Sequence, residues 1–178
     1  MRVVGGSARG RQLKTPEGRA IRPSTDRIRE SMFNLLGPGH LAEQVLDAFA
    51  GTGALGIEAL SRGVAQATFT DADPKALRLV HENLARCKFA ERARVRKADA
   101  LDWLRAQAAD FDLIFLDPPY GQGLVLSCLE IIGGSVMAEG ARVVCECERG
   151  LELPEAQGCL ALIKERLYGD TRVGIYEA

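Results

Sequence analysis

Residues 44–63 read QVLDAFAGTGALGIEALSRG. A short apolar run ends in an acid, a glycine-rich turn follows, and ALGIEALSRG continues as a helix. Strand, turn and helix in that order form one unit of an α/β fold. The alternation recurs in ATFTDA then PKALRLVHENLARC, ARVRKA then DALDWLRAQ, and DLIFLD then GLVLSCLEIIGG, with ARVVCECE as a fifth strand. Such a chain is predicted to build a mostly parallel sheet with helices on both faces. Ligands then bind at the carboxyl ends of the strands, near the switch point. The end, CLALIKERLYGDTRVGIYEA, reads as two strands joined at Gly169-Asp170, an antiparallel hairpin.

Upstream, RVVGG and RGRQLKT read as two short strands, and STDRIRESMFNLLG as a helix with Ser24 or Thr25 as its cap and Gly37 as its stop. Ile28, Met32, Leu35 and Leu36 recur at helical spacing, which sets the arginines on the opposite face. Residues 1–36 hold eight Lys or Arg against three acids, a net +5, so the remainder carries −6 of the total −1. We therefore read residues 1–36 as a basic arm for RNA phosphates, with Arg9, Arg11, Lys14, Arg22 and Arg27 as candidate contacts, and 37–178 as the body of one domain. The 178 residues suffice for one core, and 47% hydrophobic with 26% charged residues is ordinary globular composition. No apolar run approaches a membrane span and the basic first ten residues lack a leader core, so a cytoplasmic location is expected. Five cysteines without a CxxC pair, and His40 and His81 standing alone, give no metal-ligand spacing. Cys145 and Cys147 alternate in a strand and read as packing residues.

Gly51, Gly53 and Gly56 match the GxGxxG spacing of dinucleotide-binding loops, which alone is a weak signal. Asp47 turns the reading. An acid at the strand end repels a pyrophosphate and attracts an ammonium group. Asp71, about twenty residues past the loop, ends the second strand where a carboxylate can hold both ribose hydroxyls. Its neighbour Asp73, followed by Pro74, reads as the start of the next helix. Asp99, after the third strand, is placed to accept from the amine of adenine, although an aspartate there is equally a favoured helix cap. An ammonium, a ribose diol and an adenine amine together describe S-adenosylmethionine.

The fourth strand stops at Asp117-Pro118-Pro119-Tyr120. An exocyclic amine on a base is a poor nucleophile because its lone pair is delocalised into the ring. A carboxylate and a backbone carbonyl that both accept from the NH2 group turn that lone pair toward a methyl sulfonium. Asp117 supplies the first acceptor and Pro118 the second, the Pro118-Pro119 unit keeps the backbone rigid, and Tyr120 stacks on the base.

LDAFAGTGALGIEALSRG, LDPPY, the opening GGSARGRQLKTPEGRAIRPSTDRIRESMFNLL and YGDTRVGIYE near the end resemble the RsmD family of bacterial methyltransferases over nearly the whole chain. The resemblance implies the class I S-adenosylmethionine-dependent methyltransferase fold, Rossmann-like, with a seven-stranded sheet closed by an antiparallel hairpin. It implies methylation of N2 of one guanine in 16S ribosomal RNA. A substrate already folded in the small ribosomal subunit, a monomeric protein and no metal are expected, although the residues alone leave free RNA against assembled subunit and the oligomeric state open. Carried over by motif, Asp47, Ala48, Phe49, Gly51 and Gly53 hold the methionine end, Asp71 and Ala72 the ribose, Asp99 and Ala100 the adenine, and Asp117 to Tyr120 the guanine. The chain departs from the family at Asp71, where glutamate is more usual. Two rival readings are adenine-N6 methylation, since DPPY also serves that chemistry, and a nicotinamide-dependent oxidoreductase. The first usually needs a recognition domain that this chain has no room for. The second leaves Asp47 and DPPY unexplained.

Overall fold

Alternating burial decides which way each strand faces. In β1 (Gln44–Asp47) and β4 (Leu113–Leu116), Val45, Leu113 and Phe115 enter one apolar cluster, while Leu46, Ile114 and Leu116 enter another. A strand buried on both sides has to lie inside a covered parallel sheet. The computed structural model describes residues 1–16, 24–37 and 43–178, with the side chains of residues 24 and 25 outside the description. Arg19, Arg22, His40 and the caps expected at Ser24 or Thr25 therefore lie outside the described residues.

The other strands are β2 (Gln66–Asp71), β3 (Ala93–Lys97), β5 (Arg142–Glu148), β6 (Ala156–Gln157), β7 (Leu160–Tyr168) and β8 (Thr171–Glu177). Their order across the sheet is β3-β2-β1-β4-β5-β8-β7-β6. The first five run parallel, and β8 enters antiparallel between β5 and β7. The seven expected strands are thus joined by an eighth, the two-residue β6, which pairs with the edge of β7. It escaped the sequence reading because two residues carry no period.

On one face lie α1 (Ser24–Leu36), α2 (Ala54–Ser61) and α3 (Pro74–Cys87). On the other lie α4 (Ala100–Gln107) and α5 (Leu124–Gly133). In α3, Asp73 caps the first turn by accepting from the Lys75 N–H at 2.8 Å, Pro74 occupies the first helical position, and Val80, Asn83, Leu84 and Cys87 form the buried stripe. Ile28, Met32, Phe33 and Leu36 anchor α1 to the sheet, each worth roughly 1.5–3 kcal/mol of burial. Cys145 and Cys147 are buried packing residues, as their alternation indicated.

Two expectations for the N-terminal segment need correction. The two strands shrink to a single antiparallel bridge, Arg2 to Gln12: the Val3, Gly10 and Leu13 N–H groups still bond within the segment, but those of Val4, Gly5, Ser7 and Ala8 turn to α2. Gly6, at φ 73°, presses so close that an added Cβ would stand 1.9 Å from the Ser61 carbonyl oxygen, while the Ser7 and Ala8 N–H groups bond to Ser61. Arg29 does not point outward with the other arginines. It is buried, donates to Asp26 at 2.8 Å and to the Arg2 carbonyl, and stands 3.5 Å from the Glu58 carboxylate. The physical reason is Glu58, a fully buried acid on apolar α2. A buried carboxylate needs partners, and it takes Arg29, Arg62 and the N–H groups of Val4 and Gly5.

Candidate active site

The chain leaves β1 for β2 on one side and reaches β4 on the other, so the switch point lies between β1 and β4. The period of two then sets the chemistry. Val45, Phe69, Phe115 and Val144 share the first apolar cluster. Two residues further along their strands, Asp47, Asp71, Asp117 and Glu146 turn to the same face at its carboxyl rim. Pairing of Asp47 with Phe115, and of Leu116 with Cys145, brings three of the four onto neighbouring strands: Asp117, one residue past β4, follows beside Glu146.

The glycine loop joins this rim to α2. Gly51 and Gly53 adopt φ 54° and 79°, in the left-handed region that a side chain would strain. Gly56 serves contact instead, since a Cβ there would lie 2.3 Å from Phe69 Cε1, inside the helix–sheet interface. Asp47 Oδ2 accepts from the Gly56 N–H at 2.9 Å. Asp71 accepts from the Gly51 N–H at 2.9 Å and from the Asp73 N–H at 2.8 Å, tying the second strand to the loop. Asp99 Oδ1 caps α4 by accepting from the Leu101 and Asp102 N–H groups at 2.9 and 3.2 Å. The capping alternative for Asp99 is therefore realised, and the first helical N–H, that of Ala100, points out of the same helix end.

Burial pushes the Asp47 carboxyl up to about 7; the Gly56 N–H opposes the shift and the Asp71 charge adds to it. Asp117 is raised above the usual carboxylate range by its sunken position, then by Glu146 and Asp47. Its side chain still opens to solvent, which tempers the burial contribution, so the direction rests on the two neighbouring carboxyls. Among the described residues, Asp47, Asp71 and Asp117 form no ion pair with any Lys, Arg or His. Carboxyls gathered without a basic partner favour a positively charged group over a phosphate.

Beyond Asp117, Pro118 is buried and Pro119 exposed. The Tyr120 hydroxyl donates to Glu146 Oε1 at 2.9 Å and lies 3.0 Å from Thr171 Oγ1. Burial holds this phenol well above its usual range, so it stays a neutral donor. The Gly121 N–H donates to Glu148 at 3.2 Å, so β5 grips the tip at two points. Glu146 and Thr171 were missed in the sequence, although Glu146 stands at the alternating position after Val144. Asn83 was missed too: fully buried on α3, it accepts from the Lys14 N–H at 2.7 Å and donates to the Lys14 and Thr52 carbonyls at 3.0 and 2.9 Å, joining the N-terminal segment to the glycine loop.

Of the candidate RNA contacts, Arg9 and Arg27 are exposed, Arg11 donates to the Arg86 carbonyl at 2.8 Å, and Lys14 pairs with Glu82 at 2.5 Å. Arg22 lies outside the described residues. No group of three His, Cys, Asp or Glu side chains among the described residues is placed to hold a metal ion, and no described helix is long and apolar enough to cross a membrane.

Comparison with known proteins agrees with this arrangement. Residues 1–177 match the family model described as conserved hypothetical protein 95. The Bacillus subtilis protein YlbH is 42% identical over 99% of this chain and 98% of its own length. The Escherichia coli protein named ribosomal RNA small subunit methyltransferase D is 36% identical over 99% of this chain and 89% of its own. The solved structure of yhhF from Escherichia coli superposes with a TM-score of 0.86 at 37% identity, covering 99% of this chain and 97% of the other. The acid rim, the glycine loop and the DPPY tip thus sit in a chain that belongs, over almost its full length, to the family of conserved hypothetical protein 95, the RsmD family.

Proposed function

We propose that the chain transfers a methyl group from S-adenosylmethionine to the exocyclic N2 of one guanine in 16S ribosomal RNA, acting in the cytoplasm as a monomer on the small subunit. The observation that carries this reading is the rim on which Asp47, Asp71, Asp117 and Glu146 converge beside a rigid Pro-Pro-Tyr tip. The name of the Escherichia coli relative supports it as a ribosomal RNA methyltransferase.

S-adenosylmethionine, when bound, supplies an electrophilic methyl on a positively charged sulfur. The residues of the chain fit that group. Asp47, raised to about 7 in the free protein, would release its proton to solvent as the ammonium arrives, because the neighbouring positive charge offsets the cost of burying the carboxylate. Asp71 uses one lone pair on each oxygen for the Gly51 and Asp73 N–H groups, leaving the others to accept from ribose hydroxyls. At the end of α4, Asp99 Oδ2 accepts from the adenine amine while the Ala100 N–H donates to a ring nitrogen. Phe49, half-buried after β1, and Ala48 and Ala72 beside the acids line the walls.

Asp117 and the Pro118 carbonyl accept the two protons of the guanine amine and aim its lone pair. A raised carboxyl pKa suits Asp117 to take the proton lost after transfer, once the cation of the cofactor has drawn it into the ionised form. Tyr120, fixed by Glu146 and Thr171, presents its ring to the base. Arg9, Arg11, Lys14, Arg22 and Arg27 in the basic arm contact RNA phosphates. Incubating the protein with methyl-labelled cofactor and ribosomal RNA, then digesting to nucleosides, tests this reading. Label in N2-methylguanosine is the expected result, and label in N6-methyladenosine or in none would overturn it.

A further inference from the structure

The two helices α4 and α5 cover β1, β4 and β5; on the same face Thr68 and Thr70 of β2 are buried, while the edge strand β3 exposes Arg94 and Arg96. There a groove of about 220 Å³ is lined by Arg94, Arg96, Trp103, Gln44, Gln107 and Thr68, with Asp110 the single acid among its walls. Arg94 and Arg96 alternate in β3, so both guanidinium groups stand on this face, while Ala93 and Val95 pack on the other. Neither arginine is paired with a carboxylate among the described residues; Arg96 only donates to the Val95 carbonyl at 3.1 Å. The Trp103 indole N–H is buried and has no partner. Charged residues on an edge strand ordinarily serve to block pairing with other chains. That role explains two arginines. It leaves unexplained a hollow beside them and a donor without an acceptor, where the buried polar side chains of the described residues are otherwise almost all satisfied.

We propose that this groove holds a phosphodiester of the RNA substrate, bound by Arg94, Arg96 and the Trp103 N–H. Donors outnumber acceptors there, as an anion requires, and paired guanidinium groups suit phosphate oxygens. Arg94 and Arg96 lie on β3, three strands across the sheet from β4 and Asp117, so the groove is on the order of 14 Å from the DPPY tip. The bound phosphate therefore belongs to a nucleotide other than the one methylated. The groove rests on the RNA reading above, and it extends the footprint to the face opposite the N-terminal segment.

The test is the double variant Arg94→Gln/Arg96→Gln beside a charge-matched control, Arg78→Gln/Arg166→Gln, whose arginines are exposed elsewhere. Affinity for a small-subunit ribosomal RNA transcript is measured from low to high salt. The groove variant should weaken binding about tenfold or more at moderate salt and flatten the log–log salt slope by about 0.7–0.9, with cofactor affinity unchanged. Trp103→Phe keeps the ring, loses the N–H and should weaken binding roughly threefold. Equal loss in the control, or an unchanged slope in the groove variant, would overturn the proposal. So would saturation of the groove by inorganic phosphate with RNA binding untouched by the double variant. Wild-type methylation of the same transcript is followed in parallel: its absence would count against the proposed function, and an unchanged slope alongside normal methylation against the groove only.

Discussion

Asp47 is 1% exposed, and its carboxyl titrates at about 7 in the folded chain against 3.8 unfolded. Below pH 3.8 both states hold the proton and the group is neutral to stability. Between 3.8 and 7 the unfolded chain releases its proton while the folded chain keeps it, so stability falls by about 1.36 kcal/mol per pH unit. The loss reaches about 4 kcal/mol by pH 7 and stays there above it. Asp47→Asn removes the titration, and its amide oxygen can still accept from the Gly56 N–H. The variant without cofactor is expected to be more stable than wild type at pH 8 by up to that amount, on the order of 10 °C in melting temperature for a chain of this size. Below pH 4 the two melting curves should converge. Cofactor affinity should move the other way and fall about tenfold, because an amide does not attract an ammonium. Thermal melts from pH 4 to 9, with calorimetric titration of S-adenosylmethionine, read both effects. Parallel melting curves at every pH would refute the reasoning, since Asp47 would then carry no raised pKa into the fold.

Gly56→Ala should cost about 1–3 kcal/mol in urea denaturation, because its Cβ would stand 2.3 Å from the ring of fully buried Phe69. Asn83→Ala strips partners from the Lys14 N–H and the Thr52 carbonyl; a loss of roughly 2–4 kcal/mol is expected, with weaker cofactor binding measured at a temperature where the variant remains folded. Tyr120→Phe keeps the ring but drops the bonds to Glu146 and Thr171, so the single-turnover rate should fall about tenfold with cofactor affinity unchanged.

The order of elements was legible because each apolar run carries its own period: QVLD and LIFL lie where a covered parallel sheet requires them, and PKALRLVHENLARC shows the stripe that buries Val80, Leu84 and Cys87. The acids at the strand ends were legible for the same reason, because strand ends of a parallel sheet converge. Glu146 was hidden inside a strand whose cysteines drew the packing reading, and only the register of β4 against β5 sets it beside Asp117. Arg29 could not be placed from helical spacing alone. Its inward turn depends on Glu58, which is 29 residues away on another helix, and a contact of that range leaves no trace in local pattern. The N-terminal strands were shortened for a similar reason: Val3 and Leu13 keep bonds across the segment, but the N–H groups of Val4, Gly5, Ser7 and Ala8 turn to Glu58 and Ser61 of α2.

The central claim is that Asp117 and the Pro118 carbonyl orient an amine for attack, and a single-turnover assay with Asp117→Ala tests it most directly. The variant should bind S-adenosylmethionine with wild-type affinity and form N2-methylguanosine in 16S ribosomal RNA about two to four orders of magnitude more slowly, with Asp117→Asn between the two. Methylation by Asp117→Ala at the wild-type rate, with cofactor saturating, would contradict the account and leave Asp117 a residue of the turn.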